Sequence, residues 1–344
     1  MPVTSHPNLA DDAVLTACVE HNARKGEHDL LDSFQQLSNA APQLNLGPLV
    51  LALRQRLQAA HSPLSPWVYL GYYLLGRQIL TGQGDLLPRF HDLLLAEIER
   101  PQPVGQIVEF WNPARADPAL WQAALDLFQE GGDFSGGMEP PSAEVGDQYR
   151  TVIPEARGLI RTLDPPLADL MDRLQPLLVL CAPGSNARFS GEGFGNATCF
   201  FFRGASLFNA SRPTNPIQMT ERLVHEYAHA ELFVLAQDGP LCLNGDDERH
   251  SVRIRPDPRP MNGILHALHV VSRVCPVLQR ALSRGIPPSD AFEELTASCR
   301  LLIAQQQEYG ASSLAVIRSH AQLTTLGEAV VEAAAARLAS GVPA

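Results

Sequence analysis

The stretch Leu223-Val224-His225-Glu226-Tyr227-Ala228-His229 decides how this chain is read, because it carries HExxH inside a helix-forming run. A helix turns once every 3.6 residues, so side chains four apart stack on one face. His225 and His229 therefore aim two imidazoles at one point, with Glu226 one step round the cylinder. Two imidazoles so placed bind a divalent transition metal and leave a carboxylate beside it. The short pattern also arises by chance. Here it lies among apolar residues, where two histidines and a glutamate are costly to bury without a purpose.

The helix around it is well specified. Asn215 suits the N-cap, Pro216 the first helical position and Gln218 the place of a capping-box partner. Leu223, Val224, Leu232, Phe233 and Leu235 give it a buried side, and Gly239-Pro240 stops it.

The rest of the metal shell decides the chemistry. A metzincin would extend HExxH with a glycine and a third histidine, but those positions hold Leu232 and Leu235, which excludes that family. A gluzincin would take a later glutamate. Glu248 lies at a tolerable distance, but Asn244-Gly245-Asp246-Asp247-Glu248-Arg249 has the composition of an exposed turn with solvated charges. A better source is Arg259-Pro260-Met261-Asn262-Gly263-Ile264-Leu265-His266-Ala267-Leu268-His269, where Pro260 can open a helix buried through Ile264, Leu265, Leu268, Val271 and Val274. His266 and His269 share one face of that helix, and Arg273 continues the stripe. His266 is preferred as the ligand, leaving His269 to hydrogen-bond nearby.

LVHEYAHAEL followed by RPDPRPMNGILHALH resembles the HExxH domain of ribosomal-peptide modification clusters, the αKG-HExxH peptide β-hydroxylases. The resemblance covers roughly residues 191–280, and its specific part is DPRP followed by a histidine-bearing helix. It implies an Fe(II)- and 2-oxoglutarate-dependent enzyme that uses O2 to hydroxylate a side-chain β-carbon of a ribosomally synthesised precursor peptide. Carried over by position, it implies His225, His229 and His266 as iron ligands and Arg259 as a site arginine.

That chemistry makes its own demands. A non-haem iron site needs about three protein ligands on one face and open positions opposite. 2-Oxoglutarate would chelate the iron through its keto-acid end, leaving a distal carboxylate that calls for a bidentate guanidinium. Arg273, Arg259 and Arg255 are the candidates. Arg273 is preferred for the distal carboxylate, since it follows His266 by two turns, about 10 Å along the axis, whereas Arg259 is favoured by the family motif. Most 2-oxoglutarate oxygenases use His-x-Asp/Glu on a double-stranded β-helix; these ligands lie on helices, so analogy to that fold fails. Glu226 would then orient a ligand or hold substrate. In the rival reading, a zinc-dependent peptidase, Glu226 is the general base that activates water. A binding protein that keeps the metal helix without catalysis is the third.

Composition frames these alternatives. The 344 residues are 45% hydrophobic and 18% charged, which describes a globular chain. A net charge of −11 argues against nucleic-acid and anionic-membrane partners. The start lacks the charged and apolar regions of a signal peptide, no run suits a membrane span, and six scattered cysteines contain no CxxC pair. A cytoplasmic protein with reduced thiols is expected.

The pattern along the chain is mostly helical, including 46–60, 67–80, 118–129 and stretches within 154–177, with two more helices after Arg280. Segments 177–181 and 197–209, the latter with Phe200, Phe201 and Phe202, suggest strands. The Gly- and Pro-rich segment 131–146 marks a boundary. The expected fold is therefore mainly α (α+β): a helical bundle-like protein with a small β element and a zincin-like HExxH metal helix. Its expected parts are a helical region, 1–130, available as a peptide-leader or homodimer surface, and an HExxH catalytic domain, 147–344.

Overall fold

The computed structural model describes residues 7–59, 63–82, 87–100, 107–110, 118–130, 138–184, 195–211, 213–253, 257–284 and 292–340. The protein is mainly helical, with 74% of residues in helix and eleven α-helices among the described residues. Contacts divide it into two compact units, each assembled from separated segments. One comprises Met1–Asn22, Thr151–Leu170 and Thr214–Ala344; the other comprises Ala23–Arg150 and Met171–Pro213. Three of the four dividing points fall inside α1 (Asp12–Ala40), α6 (Ala143–Leu163) and α7 (Pro165–Leu174), and the fourth follows Pro213; none falls at the Gly- and Pro-rich stretch.

The second unit holds the sheet. β3 (Leu177–Pro183) pairs parallel with β1 (Ile107–Phe110) and with β4 (Ala205–Asn209), and antiparallel with β2 (Met138–Glu139). Leu177, Leu178, Val179, Leu180 and Cys181 are all buried, the continuous apolar run expected of a strand covered on both faces. The core of this unit includes Phe34, Leu53, Val68, Phe90, Leu94 and Phe128. They come from α1, α2 (Gly47–Ala59), α3 (Pro66–Thr81), α4 (Leu87–Glu99) and α5 (Pro118–Glu130). Ser65 caps α3, its hydroxyl accepting from the Trp67 amide at 3.3 Å, and Gly82 ends the helix at a φ of 69°.

Two local readings change. Phe200–Phe202 is a 3-10 turn and not part of a strand, so the extended segment shrinks to β4. Phe202 is buried at 1% exposure and Phe200 is 56% exposed. Gly204, at a φ of 86°, reverses the chain just before β4, which a continuous strand does not permit. β1, in a region read as helical, is a strand because β3 supplies its hydrogen-bonding edge.

The first unit is helical and centred on α9 (Met261–Arg284). Around α9 pack α8 (Pro216–Leu235), α10 (Phe292–His320) and α11 (Thr325–Ser340). α9 buries Ile264, Leu265, Leu268, Val271, Val274 and Leu278. α10 approaches it closely at Gly310, where a Cβ would meet Val271 Cγ1 at 2.8 Å. Among the described helices, α9 alone is long and apolar enough to cross a membrane, contrary to the expectation from sequence, but 72% of that window is buried inside the protein. By burial it is the core helix of its unit.

The first and last segments also meet within this unit. Arg337 of α11 donates to the Leu9 carbonyl, and Arg273 Nη1 of α9 lies 3.8 Å from Asp12. Arg280 of α9 pairs with Asp164 at the N-terminal side of α7. All six cysteines are thiols.

Candidate metal centre

α8 begins as its sequence specifies. The Asn215 side chain accepts from the Gln218 amide at 2.9 Å, Pro216 occupies the first turn, and a short 3-10 turn carries the chain to Gly239. Gln218 does not close a capping box: its side-chain oxygen accepts from Thr214 Oγ1 at 3.4 Å. Fixing the start of α8 fixes the angular position of each residue after it. That places His225 and His229 one above the other, with ring centroids 5.2 Å apart.

His266 reaches the same place from α9. Its ring stacks on His229 at 5.3 Å with an interplanar angle of 28°, and the two Nδ1 atoms are 3.1 Å apart. Phe233, one turn beyond His229, packs against His266 at 5.1 Å. The three histidines singled out from sequence are therefore neighbours, drawn from two helices.

Each ring has a distinct environment. His225 Nδ1 is 3.3 Å from Glu221 Oε1, one turn back on α8, and Gln306 of α10 donates to the same oxygen at 3.1 Å. A carboxylate on one nitrogen of an imidazole fixes the tautomer and turns the opposite nitrogen outward, as outer residues of metal sites do. Burial, followed by the proximity of His269, pushes His266 down to about 4. A neutral imidazole offers a lone pair at physiological pH. Glu226 is 2% exposed, a buried carboxylate next in sequence to His225.

Below the rings lies a network that sequence reasoning did not find. Glu231, fully buried, accepts from Tyr227 Oη at 2.7 Å, His269 Nε2 at 2.8 Å, Arg273 Nε at 2.7 Å and Arg273 Nη2. Burial alone would raise the Glu231 carboxyl, but the Arg273 guanidinium and the His269 hydrogen bond hold it well below the usual carboxylate range. Burial holds His269 below its ordinary value, against the hydrogen bond and charge of Glu231. Tyr227 is raised by burial and next by the Glu231 charge.

The arginine candidates separate by environment. Arg273 is 9% exposed and gives its fork to Glu231. Arg259 sits in β6 (Arg259–Pro260), paired with β5 (Arg249–His250), immediately before α9. Its side chain is 37% exposed, and Nε donates to Asp257 at 3.1 Å. Arg255 lies outside the described residues. Glu248, the gluzincin candidate, accepts from Asn244 at 3.1 Å and contacts His250 Nε2 at 3.1 Å in its exposed turn.

Nitrogens bound about 2.1 Å from a single ion lie about 3.0–3.4 Å apart, and the His229–His266 separation falls inside that bite. Rings on one ion have centroids about 4.5–5.2 Å apart, close to both spacings here. No three His, Cys, Asp or Glu side chains among the described residues are already converged on one point. The donor set is thus two nitrogens at chelating separation, with a third, carboxylate-oriented ring one turn away. Its donor type, three imidazoles, suits a transition metal, and the separation of the His229 and His266 nitrogens suits two ligands of one ion. No protein-family model matches the chain, and no curated protein matches it.

Proposed function

We propose that this protein is an Fe(II)- and 2-oxoglutarate-dependent dioxygenase that hydroxylates a side-chain β-carbon of a ribosomally synthesised precursor peptide in the cytoplasm. The resemblance of its two histidine blocks to peptide β-hydroxylases motivates the reaction. The observation that carries the metal is the meeting of His229 and His266 at 3.1 Å beside His225. In this reading α8 is a zincin-like metal helix put to oxidative use.

When bound, iron and 2-oxoglutarate would supply the oxidising power to place one atom of O2 in a peptide C–H bond, the other atom going to succinate as 2-oxoglutarate loses CO2. The chain's residues do the rest. Glu221 and Gln306 keep His225 turned toward the metal, and His229 and His266 provide the pair from two helices. Arg259, more accessible than Arg273 and placed at the entrance to α9, grips the distal carboxylate of the co-substrate. Arg273 keeps α8 and α9 together through Glu231. Glu226 orients a ligand or the substrate. The thiol state of all six cysteines agrees with a reducing compartment.

One incubation tests the proposal. The protein, Fe(II), 2-oxoglutarate, O2 and a precursor peptide encoded beside it should give peptide heavier by one oxygen atom, with equimolar succinate. Peptide cleavage in the presence of zinc, abolished by Glu226→Gln with metal still bound, would install the peptidase reading instead. Stoichiometric peptide binding without turnover would leave a binding protein.

A further inference from the structure

We infer that Glu231 is the positioning residue of the metal centre: it locks α9 in register with α8 so that His266 meets His229 at chelating distance. The inference rests on the metal reading proposed above. Glu231 follows His229 by two residues, and its two α9 partners, His269 and Arg273, follow His266 by three and by seven. One carboxylate thus holds α9 at two successive turns, immediately below the donor that α9 contributes.

Energetics argue that this network is not there simply to hold the helices together. Side chains that are this buried, with Glu231 and Tyr227 at 0% exposure, His269 at 2% and Arg273 at 9%, exact a large desolvation cost. Apolar residues of similar size would join the helices as firmly or more so. What apolar packing lacks is direction. A bidentate guanidinium and an imidazole on one carboxylate are satisfied at one axial setting, and a slip of one residue, about 1.5 Å, breaks them together. The same slip would carry His266 away from His229 and open the 3.1 Å separation beyond the bite of a metal.

His269 strengthens the assignment. Its Nδ1 is buried with no hydrogen-bond partner among the described residues, so Glu231 is the polar contact that sets the ring. Tyr227, one turn before Glu231 on α8, takes a lone pair of the carboxylate and stops it from turning. The metal rings above and the carboxylate below therefore form two layers of one helix pair, and the lower layer sets the upper.

The experiment is Co(II) binding to the full chain, followed by equilibrium dialysis and the visible absorption of the bound ion. Wild-type protein should bind one equivalent, weakened by His266→Gln; absence of either result would defeat the metal reading itself. The double variant Glu231→Met with Arg273→Met removes both charges at once, which spares the fold an unpaired buried ion. It should keep its helical circular dichroism and a cooperative melt, yet bind Co(II) about 10–100-fold more weakly and with a changed spectrum. Wild-type affinity and spectrum in the folded double variant would overturn the positioning role while leaving the metal reading standing. If the double variant does not fold, His269→Leu, which keeps the ion pair, carries the same measurement. A weaker affinity there supports the role, and an unchanged one rejects it.

Discussion

A protonated imidazole binds no metal, so the environment that keeps His266 neutral matters as much as its position. Burial depresses His266 to about 4, while the unfolded chain titrates near the ordinary imidazole value of about 6.5. Between these values the unfolded state binds the extra proton. The contribution of the neutral ring is therefore fully present above about 6.5 and is lost as the pH falls toward 4. Metal-free protein should lose about 1–3 kcal/mol of stability across that window through this residue, read from urea unfolding at a series of pH values. His266→Gln should flatten the profile; an equally steep one would assign the acid sensitivity elsewhere. The residues that the sequence hid at this scale are informative. Glu221 and Tyr227 were within reach, since each makes an i,i+4 contact on α8, with His225 and Glu231 respectively. The union of Glu231 with His269 and Arg273 was not, because it depends on where two helices cross, and periodicity along one helix does not encode that.

At the scale of the element, α8 was legible from end to end because its signals are local. Asn215, Pro216 and Gly239 act on backbone groups within a few residues. The cap is testable: Asn215→Ala should cost about 1 kcal/mol by leaving the Gln218 amide without its side-chain acceptor. Asn215→Ser, which restores an acceptor, should recover most of it in the same thermal or chemical melt. No loss in the alanine variant would mean that tertiary packing alone fixes the start of α8. The strands were less legible for the opposite reason. β1 has four residues, and its partner begins at Leu177, so nothing near Ile107 announces the pairing. The three phenylalanines have strand-like composition, but the reversal at Gly204 requires a turn, and composition gives no hint of that dihedral.

For the whole molecule, the interleaving of segments separates chemistry from bulk stability. Every candidate donor, and the Glu231 network beneath, belongs to the unit containing α8 and α9, whereas Leu94, fully buried, belongs to the core of the other. Leu94→Ala should cost about 2–5 kcal/mol through the cavity it leaves beside Gly71. In protein that remains folded, its Co(II) affinity should stay within about twofold of wild type, since no donor or donor-orienting residue changes. A large loss of Co(II) binding in that variant would show that the site draws on more than its own unit.

The order in which a ribosome delivers these segments now acquires meaning. The sheet unit has all its pieces once residue 213 has been made. The histidine-bearing unit must keep its first residues waiting: Asp12 meets Arg273, and Leu9 meets Arg337, only once those distant arginines have been made. α9, apolar enough to pass for a membrane segment, is made before α10 and α11, the helices that pack against it. A fragment cut to begin at residue 147 would carry His225, His229 and His266 and still lack Leu9 and Asp12, and with them the partners that this unit gives Arg337 and Arg273 at its other end.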